Sequence, residues 1–171
     1  MPLPTWTAGR RVRASELTAV NTQITTDGTN IDALGEVTTP VHGGSAAAYT
    51  TTEIAASTLT ATLVSGRKYY VMVSFSFGST IANDVSIFRV RYRAGASIGT
   101  VNTATQAHIQ TMKSVAANTG YPVAFFATLP SLSGQYTIAL TAIRSSGSGN
   151  LQIDGTSDGT DRTFALLDMG T

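Results

Sequence analysis

Residues 69–77 read Tyr69-Tyr70-Val71-Met72-Val73-Ser74-Phe75-Ser76-Phe77. Tyr69, Val71, Val73, Phe75 and Phe77 share one face, and Tyr70, Met72, Ser74 and Ser76 share the other. Side chains on a strand alternate with a period of two, so this pattern predicts a half-buried β-strand. Ser65-Gly66-Arg67 in front of it is a tight turn. After residues 78–83 the chain returns over 85–93 with Phe88, Val90 and Tyr92 on one face. Ile87, Arg89, Arg91 and Arg93 alternate with them.

Outward from this pair the same pattern repeats. Strands are expected at 47–52 and 57–64, where Leu59 and Leu63 are spaced by even steps. Residues 94–119 are rich in Ala, Thr and Asn and read as a long connection with one extended segment near 107–114. Strand character resumes at 122–129 and 135–144, the latter with Tyr136, Ile138, Leu140 and Ala142 opposite Thr137, Ala139, Thr141 and Ile143. Residues 145–150 are expected as an exposed loop, 151–153 as a short strand, and 162–169 as the last strand with Phe164 and Leu166 on one face. Seven or eight short antiparallel strands joined by Gly, Ser, Asn and Asp turns predict an all-β fold, an antiparallel β-sandwich of jelly-roll type. No amphipathic helix separates the strong strands, which argues against an α/β sheet. Strand order is not fixed by alternation.

The chain has 171 residues, enough for one domain and too short for two with a linker. Charged residues are 12%, with 11 Lys+Arg against 10 Asp+Glu, a balance that argues against a nucleic-acid binder. Cysteine is absent, which excludes disulfides, Cys-type zinc sites and thiol catalysis. The 28 Thr residues favour extended backbone. Such a surface suits either a plain β-domain or one that packs against copies of itself or a larger assembly. No run of apolar residues is long enough for a transmembrane helix, so no membrane partner is expected. The opening 20 residues lack the apolar core of a signal peptide. The expectation is a protein that stays where it is made or leaves inside a particle released by lysis.

The sequence divides near residue 40, into an N-terminal attachment arm (1–40) and a β-domain (41–171). Pro2 and Pro4 favour an extended start, followed by Trp6 and the basic residues Arg10, Arg11 and Arg13. Trp6 either folds back onto its own domain or anchors on a partner. Ser15 is a plausible N-cap, and Leu17, Val20 and Ile24 at helical spacing predict a short amphipathic helix over 15–25. Leu17, Ile24 and Ile31 are seven apart, as are Val20, Asp27 and Leu34, so both a short oligomeric stalk and a packed arm fit. Trp6, Arg10, Arg11, Arg13, Leu17, Val20 and Ile24 are the candidate residues for particle attachment or oligomer contact. Gly35, Pro40, Gly43 and Gly44 punctuate the break that follows.

Catalytic signals are lacking. His42 and His108 sit in no metal-binding motif and read as ordinary polar surface; His108 shares a polar face with Gln106 and Gln110. Asp154, Asp158 and Asp161 lie in two Asp-Gly steps, a turn signal first and a calcium loop only second, without the EF-hand pattern. Arg89, Arg91 and Arg93 point one way and fit a strip toward a polyanion, a solvated face, or pairing within or between subunits. Glu53, Asp84 and Asp154 are the carboxylates a glycosidase would draw on, yet nothing singles them out. No nucleophile elbow and no phosphate loop occur. The chain is therefore expected to be no enzyme and to hold no cofactor.

Trp6-Thr7-Ala8-Gly9, followed by Val12, Ala14 and Leu17 with Asn21 nearby, resembles the opening of small tail-associated or virion structural proteins of phages that infect actinobacteria. Gly66-Arg67-Lys68-Tyr69-Tyr70-Val71 is similar to their strand entry, Val90-Arg91-Tyr92-Arg93 to their basic second strand, and Leu166-Leu167-Asp168-Met169-Gly170 to their ending. The departure is Leu17-Thr18, where those proteins carry Leu-Asn. The resemblance implies a minor tail, head-fibre or capsid decoration protein. It implies a β-sandwich module, commonly trimeric, that is attached through its N-terminal segment to a major capsid or tail protein. Two functions follow: decoration or stabilisation of the particle, and recognition of a host-envelope glycan. The loops at 78–83, 94–104 and 145–161 contain no aromatic residue, which tilts the expectation to decoration and leaves Tyr49 and Tyr121 as glycan candidates.

Overall fold

The computed structural model describes residues 35–38, 40–42, 47–153 and 162–170. The arm residues Trp6, Arg10, Arg11, Arg13, Leu17, Val20 and Ile24, the helix expected over 15–25, and Asp154, Asp158 and Asp161 all lie outside the described residues.

In chain order the described strands are β1 (Gly35–Glu36), β2 (Val41–His42), β3 (Ala47–Tyr49), β4 (Ile54–Leu63), β5 (Tyr69–Ser79), β6 (Val85–Ala94), β7 (Thr105–Lys113), β8 (Tyr121–Leu129), β9 (Gly134–Ser146), β10 (Leu151–Ile153) and β11 (Thr163–Asp168). The strand predicted from residues 69–77 is β5, the hub of the first sheet. One of its edges pairs along β8, from Tyr69 opposite Leu129 to Phe77 opposite Tyr121. Its other edge pairs first with β11 over Tyr69–Ser74 and then with β10 over Phe77–Ser79. The short strands complete this sheet, with β1 and β2 on β11 and β3 on β10. The second sheet has the order β4-β9-β6-β7. All pairings are antiparallel, so the chain is an all-β protein of two packed sheets, as the alternation predicts.

The core lies between the sheets. Tyr69, Val71, Val73, Phe75 and Phe77 are all buried, facing Phe88 and Val90 of β6 and Ile138 and Leu140 of β9. Phe88 is the centre of an aromatic cluster. Its ring meets Phe75, Phe77 and Tyr49 edge-on, at centroid distances of 4.7, 5.5 and 6.0 Å. Such pairs add about 0.5–1.5 kcal/mol each beyond their area. Phe164 and Leu166 of β11 are fully buried, on the face the sequence assigns them.

Two polar ties fix the ends. Arg67 in the β4–β5 turn donates to Asp168 at 2.5 Å, and the Gly170 amide donates to the same carboxylate. Lys68 and Met169–Gly170 exchange backbone hydrogen bonds at 2.9 and 2.7 Å, so segments 66–71 and 166–170 meet in space. At the opposite end Asp84 is buried. Its carboxylate accepts from Ser79 Oγ at 2.5 Å, Gly149 N at 2.9 Å and Ser148 N at 3.1 Å. A Cβ on Gly147 would collide with that carboxylate, and its φ of +96° independently calls for glycine. This tie joins residues 80–84 to the loop 147–150.

One segment departs from expectation. The stretch 94–119 contains a full edge strand, β7, rather than a connection with a short extended piece. Its inward side chains are His108, Gln110 and Met112, opposite Val90, Phe88 and Ser86. These are polar or flexible residues, so the alternation of apolar types that marks a strand in sequence is weak there.

Candidate functional site

The three arginines of β6 lie on the outer face of the second sheet, and the structure gives them partners within the chain. Arg91 forms a two-pronged contact with Glu53, Nε at 2.7 Å and Nη2 at 3.0 Å. Arg89 Nη1 reaches the same carboxylate at 3.1 Å, and Thr141 Oγ1 donates to it at 2.5 Å. Burial pushes the Glu53 carboxyl up, but hydrogen bonds from Arg91 and Thr141 and the charges of Arg91 and Arg89 outweigh it and hold it below the ordinary carboxylate range. Two of the three arginines thus share one carboxylate, while Arg93 donates to Ile98 O and Thr103 Oγ1, so the strip is tied down within the chain but keeps a net positive charge. Glu53, weighed as a glycosidase carboxylate, is an ion-pair partner, and Asp84 is a loop anchor.

Above this cluster the β6–β7 connection forms a strap across the outer face. Its Ile98, Val101 and Ala104 pack on Ala139 of β9 as a small second core. The arginines hold it down: Arg91 Nη1 donates to Ala104 O at 2.8 Å and Arg93 Nη1 to Ile98 O at 3.2 Å. A 3-10 turn over Val101–Thr103 closes it, with Thr103 Oγ1 donating to Thr100 O at 2.8 Å. Gly99 sits so close to Arg93 Nη1 that a Cβ would lie 2.3 Å away, and its φ is +61°. At the strap's root, Gly95 N donates to Gln135 O and Thr137 Oγ1 donates to Gly95 O, both at 2.8 Å.

Where the strap leaves β6 and enters β7 there is a cleft of about 250 Å³. It is lined by Tyr92, Arg93, Ala94, Thr103, Ala104, Thr105 and Tyr136. The Tyr92 and Tyr136 rings are 6.2 Å apart and inclined at 55°. A β-bulge between Val90 and Arg91 lies immediately before the cleft, a position where bulges commonly re-aim side chains. The cleft is thus lined by two tyrosines, which also pack against the main core, together with one arginine, two threonines and two alanines. Flat apolar surface flanked by a few fixed hydrogen-bonding groups suits a small polyhydroxylated ring. Sequence reading passed over these tyrosines because they belong to strands that looked wholly structural. The available signal was that both adjoin the Gly95 turn, since Tyr136 pairs with Ala94.

The glycan candidates named from sequence are elsewhere. Tyr49 is buried in the core and donates to Ser86 Oγ at 2.8 Å. Burial pushes its hydroxyl pKa up, opposed by the Ser86 bond and aided by the Asp84 charge. Tyr121 packs on Phe77 with centroids 5.5 Å apart, and its hydroxyl accepts from Ala116 N at 2.5 Å. His108, expected on the polar surface, stacks on Phe125 of β8 at 4.8 Å with Nε2 buried. The partner sheet covers the side of β7 that the Gln106–Gln110 pattern suggested was wet. His42 lies in β2, opposite Thr163. Among the described residues no group of three or more His, Asp or Glu is placed to hold a metal ion, and no helix is long and apolar enough to cross a membrane.

No family model matches the sequence, and no curated protein matches it. Among solved structures, the insecticidal delta-endotoxin Cry8Ea1 from Bacillus thuringiensis matches with a TM-score of 0.44 at 15% identity, over 74% of this chain and 20% of that one. A CBM4 chain matches with a TM-score of 0.35 at 14% identity, over 62% of this chain and 59% of its own length. The VP2 protein of infectious bursal disease virus, in T=1 particles, gives 0.36 at 10% identity, over 81% and 35%. The chain thus spans less than two thirds of each of these proteins, and all are too distant to carry a function across.

Proposed function

We propose that this chain is a non-enzymatic binding module of a phage particle, recognising a host-envelope glycan in the cleft lined by Tyr92, Tyr136, Arg93, Thr103 and Thr105. The observation that carries the reading is the cleft itself: two inclined tyrosine rings with Arg93, Thr103 and Thr105 around a space of about 250 Å³. The loops need not supply aromatic residues, because strands β6 and β9 do. In this reading residues 1–40 attach the module to a major capsid or tail protein. Trp6, Arg10, Arg11, Arg13, Leu17, Val20 and Ile24 carry that contact, and copies of the chain associate, as trimers in the resemblance. The location is the virion.

The jelly-roll form of the sandwich belongs to the same proposal. The order β4-β9-β6-β7 in one sheet, against β11-β5-β8 with the short strands β1–β3 at the far edge in the other, supports it. Decoration or stabilisation of the particle is the second reading. It is favoured by the outer face of the first sheet, where Phe126 is 59% exposed beside Met72.

The test is a titration of the full chain with neutral and anionic oligosaccharides, followed by amide chemical shifts. The expected result is a cluster of shifts at Tyr92, Thr103, Thr105 and Tyr136, weakened at least about tenfold in Tyr136→Ala, the loss of one aromatic anchor. Binding that maps elsewhere, or no binding by any sugar, rejects the glycan reading. The attachment reading is tested by deleting residues 1–13: a folded domain that no longer enters particles is expected, and normal incorporation overturns it.

A further inference from the structure

We infer that the cleft takes a sugar ring that carries its own carboxylate, a uronic acid, and that Arg93 is the group that pairs with it. This rests on the glycan reading above and names its substrate class.

Arg93 is the one charged residue among those that line the cleft. Its surroundings are positive. The strands of the second sheet carry Arg89, Arg91, Arg93, Lys113 and Arg144 and no Asp or Glu. The carboxylates that flank these strands are Glu53, directly before β4, and Asp84, directly before β6. Glu53 is held by Arg89, Arg91 and Thr141. Asp84 is held by Ser79, Ser148 and Gly149, at the other end of β6 from Arg93. On the outer face three arginines thus stand against the single carboxylate of Glu53, an excess of two positive charges. A concave site bordered by charge of one sign concentrates ligands of the other.

Arg93 also differs from its neighbour in what its guanidinium does. Arg91 has Nε, Nη1 and Nη2 all engaged, by Glu53 and by Ala104 O. Arg93 gives one bond from Nη1 to Ile98 O at 3.2 Å and one from Nη2 to Thr103 Oγ1 at 3.3 Å. Both acceptors are neutral. The other N–H donors of Arg93, Nε–H among them, meet no acceptor among the described residues. The two bonds hold the guanidinium against the strap, so part of the ordering cost of binding is met in advance. Its planar fork matches a carboxylate. The space sets where that carboxylate sits. At about 250 Å³ the cleft lies below the common range for ligand pockets and suits one ring rather than several. The charge must then belong to the ring in the cleft, as in a uronic acid, and not to a linkage between units.

The test is calorimetric titration of the full chain with oligomers of galacturonate, glucuronate and mannuronate, each against its methyl ester, which keeps the ring and removes the charge. At least one acid is expected to bind at least about tenfold more tightly than its ester, with the gap narrowing as NaCl rises from about 50 to about 500 mM. Arg93→Gln is expected to abolish the gap and leave the ester's affinity unchanged, and Arg93→Lys to keep part of it. Lys113→Gln, at the far end of β7, is expected to leave the gap intact. Thermal unfolding and the amide shifts of residues 98–104 verify that each variant is folded with its strap in place. If Arg93→Gln lifts the strap, the acid–ester gap of the parent and the Arg93→Lys variant still decide. Equal or weaker affinity for the acids, with binding of an ester or a neutral sugar at the cleft, overturns the uronic acid and keeps the glycan reading. A gap closed as fully by Lys113→Gln as by Arg93→Gln overturns Arg93 as the partner. Tighter binding of poly(glycerol phosphate) than of every uronate overturns the ring carboxylate. No binding by any acid, ester or neutral oligosaccharide overturns this inference and the glycan reading together.

Discussion

On the outer face of the second sheet the cross-strand rows read Arg93–Thr137–Thr60, Arg91–Ala139–Thr58 and Arg89–Thr141–Ala55. On the outer face of the first they read Ala124–Ser74–Thr163, Phe126–Met72–Ala165 and Thr128–Tyr70–Leu167. The charged face is covered along β9: Ala139 and Thr141 are fully buried, under the strap and beside Glu53. The neutral face is open along β8, where Ala124, Phe126 and Thr128 are all exposed. Each face is buried at its centre and open at one edge, since Ala165 on the neutral face is also fully buried and Thr58 and Thr60 on the charged face are exposed. What differs is the arginines that tie the strap to the second face. Arg91 and Arg93 hold backbone carbonyls of the strap.

The same substitution on the two faces breaks this comparison most directly. Ala139→Asp forces a larger, charged side chain into the filled second core beneath the strap, opposite an Arg91 whose guanidinium is already engaged by Glu53 and Ala104 O. It is expected to cost at least about 3 kcal/mol in urea unfolding. Loss of less than about 1 kcal/mol would mean that the strap lifts freely. Glu53→Gln comes next. It leaves Arg89 and Arg91 without their counter-charge, and because both guanidiniums are partly exposed the expected cost is about 2 kcal/mol. The sign with pH follows from the lowered carboxyl. Its contribution is fully present above the ordinary carboxylate value and is lost as pH falls through the lowered one. The gap between parent and Glu53→Gln is thus expected to close below about pH 4, as read from denaturation midpoints against pH.

Smaller effects sharpen the contrast. Ile98→Ala thins the second core and is expected to cost about 1–2 kcal/mol, below the usual range for a large core. Hydrogen exchange should localise the loss to residues 95–104, and a global loss of protection would count against a separate strap unit. At the bottom of the scale is Ala124→Asp on the open face. Measured below the concentration of self-association, it is expected to stay within about 0.5 kcal/mol of the parent.

Much of the fold was legible because a strand facing a core on one side places its large apolar residues at every second position, even where, as along 137–142, the structure covers the other face too. Residues 69–77, 135–144 and 162–169 carry that mark in large apolar side chains, and all three are strands with the predicted faces buried. The β7 strand was half legible, because its inward positions are His108, Gln110 and Met112, and an edge strand needs less apolar burial to stay in place. The candidate site was not legible. Tyr92 and Tyr136 are 44 positions apart and become neighbours only through the β6–β9 register and the turn at Gly95.

By itself, then, the sequence determined the class of fold, the absence of cysteine chemistry and the long neutral stretch from 94 to 143, broken only by Lys113. Alternation and composition are local properties, and they survive without knowledge of which strand lies beside which. Tertiary structure alone decided that Glu53 answers Arg89 and Arg91, that Tyr49 is core rather than surface, and that β7 and β8 share one side. Each of those facts depends on pairing between segments far apart in the chain, and strand order is the one thing a period of two leaves free.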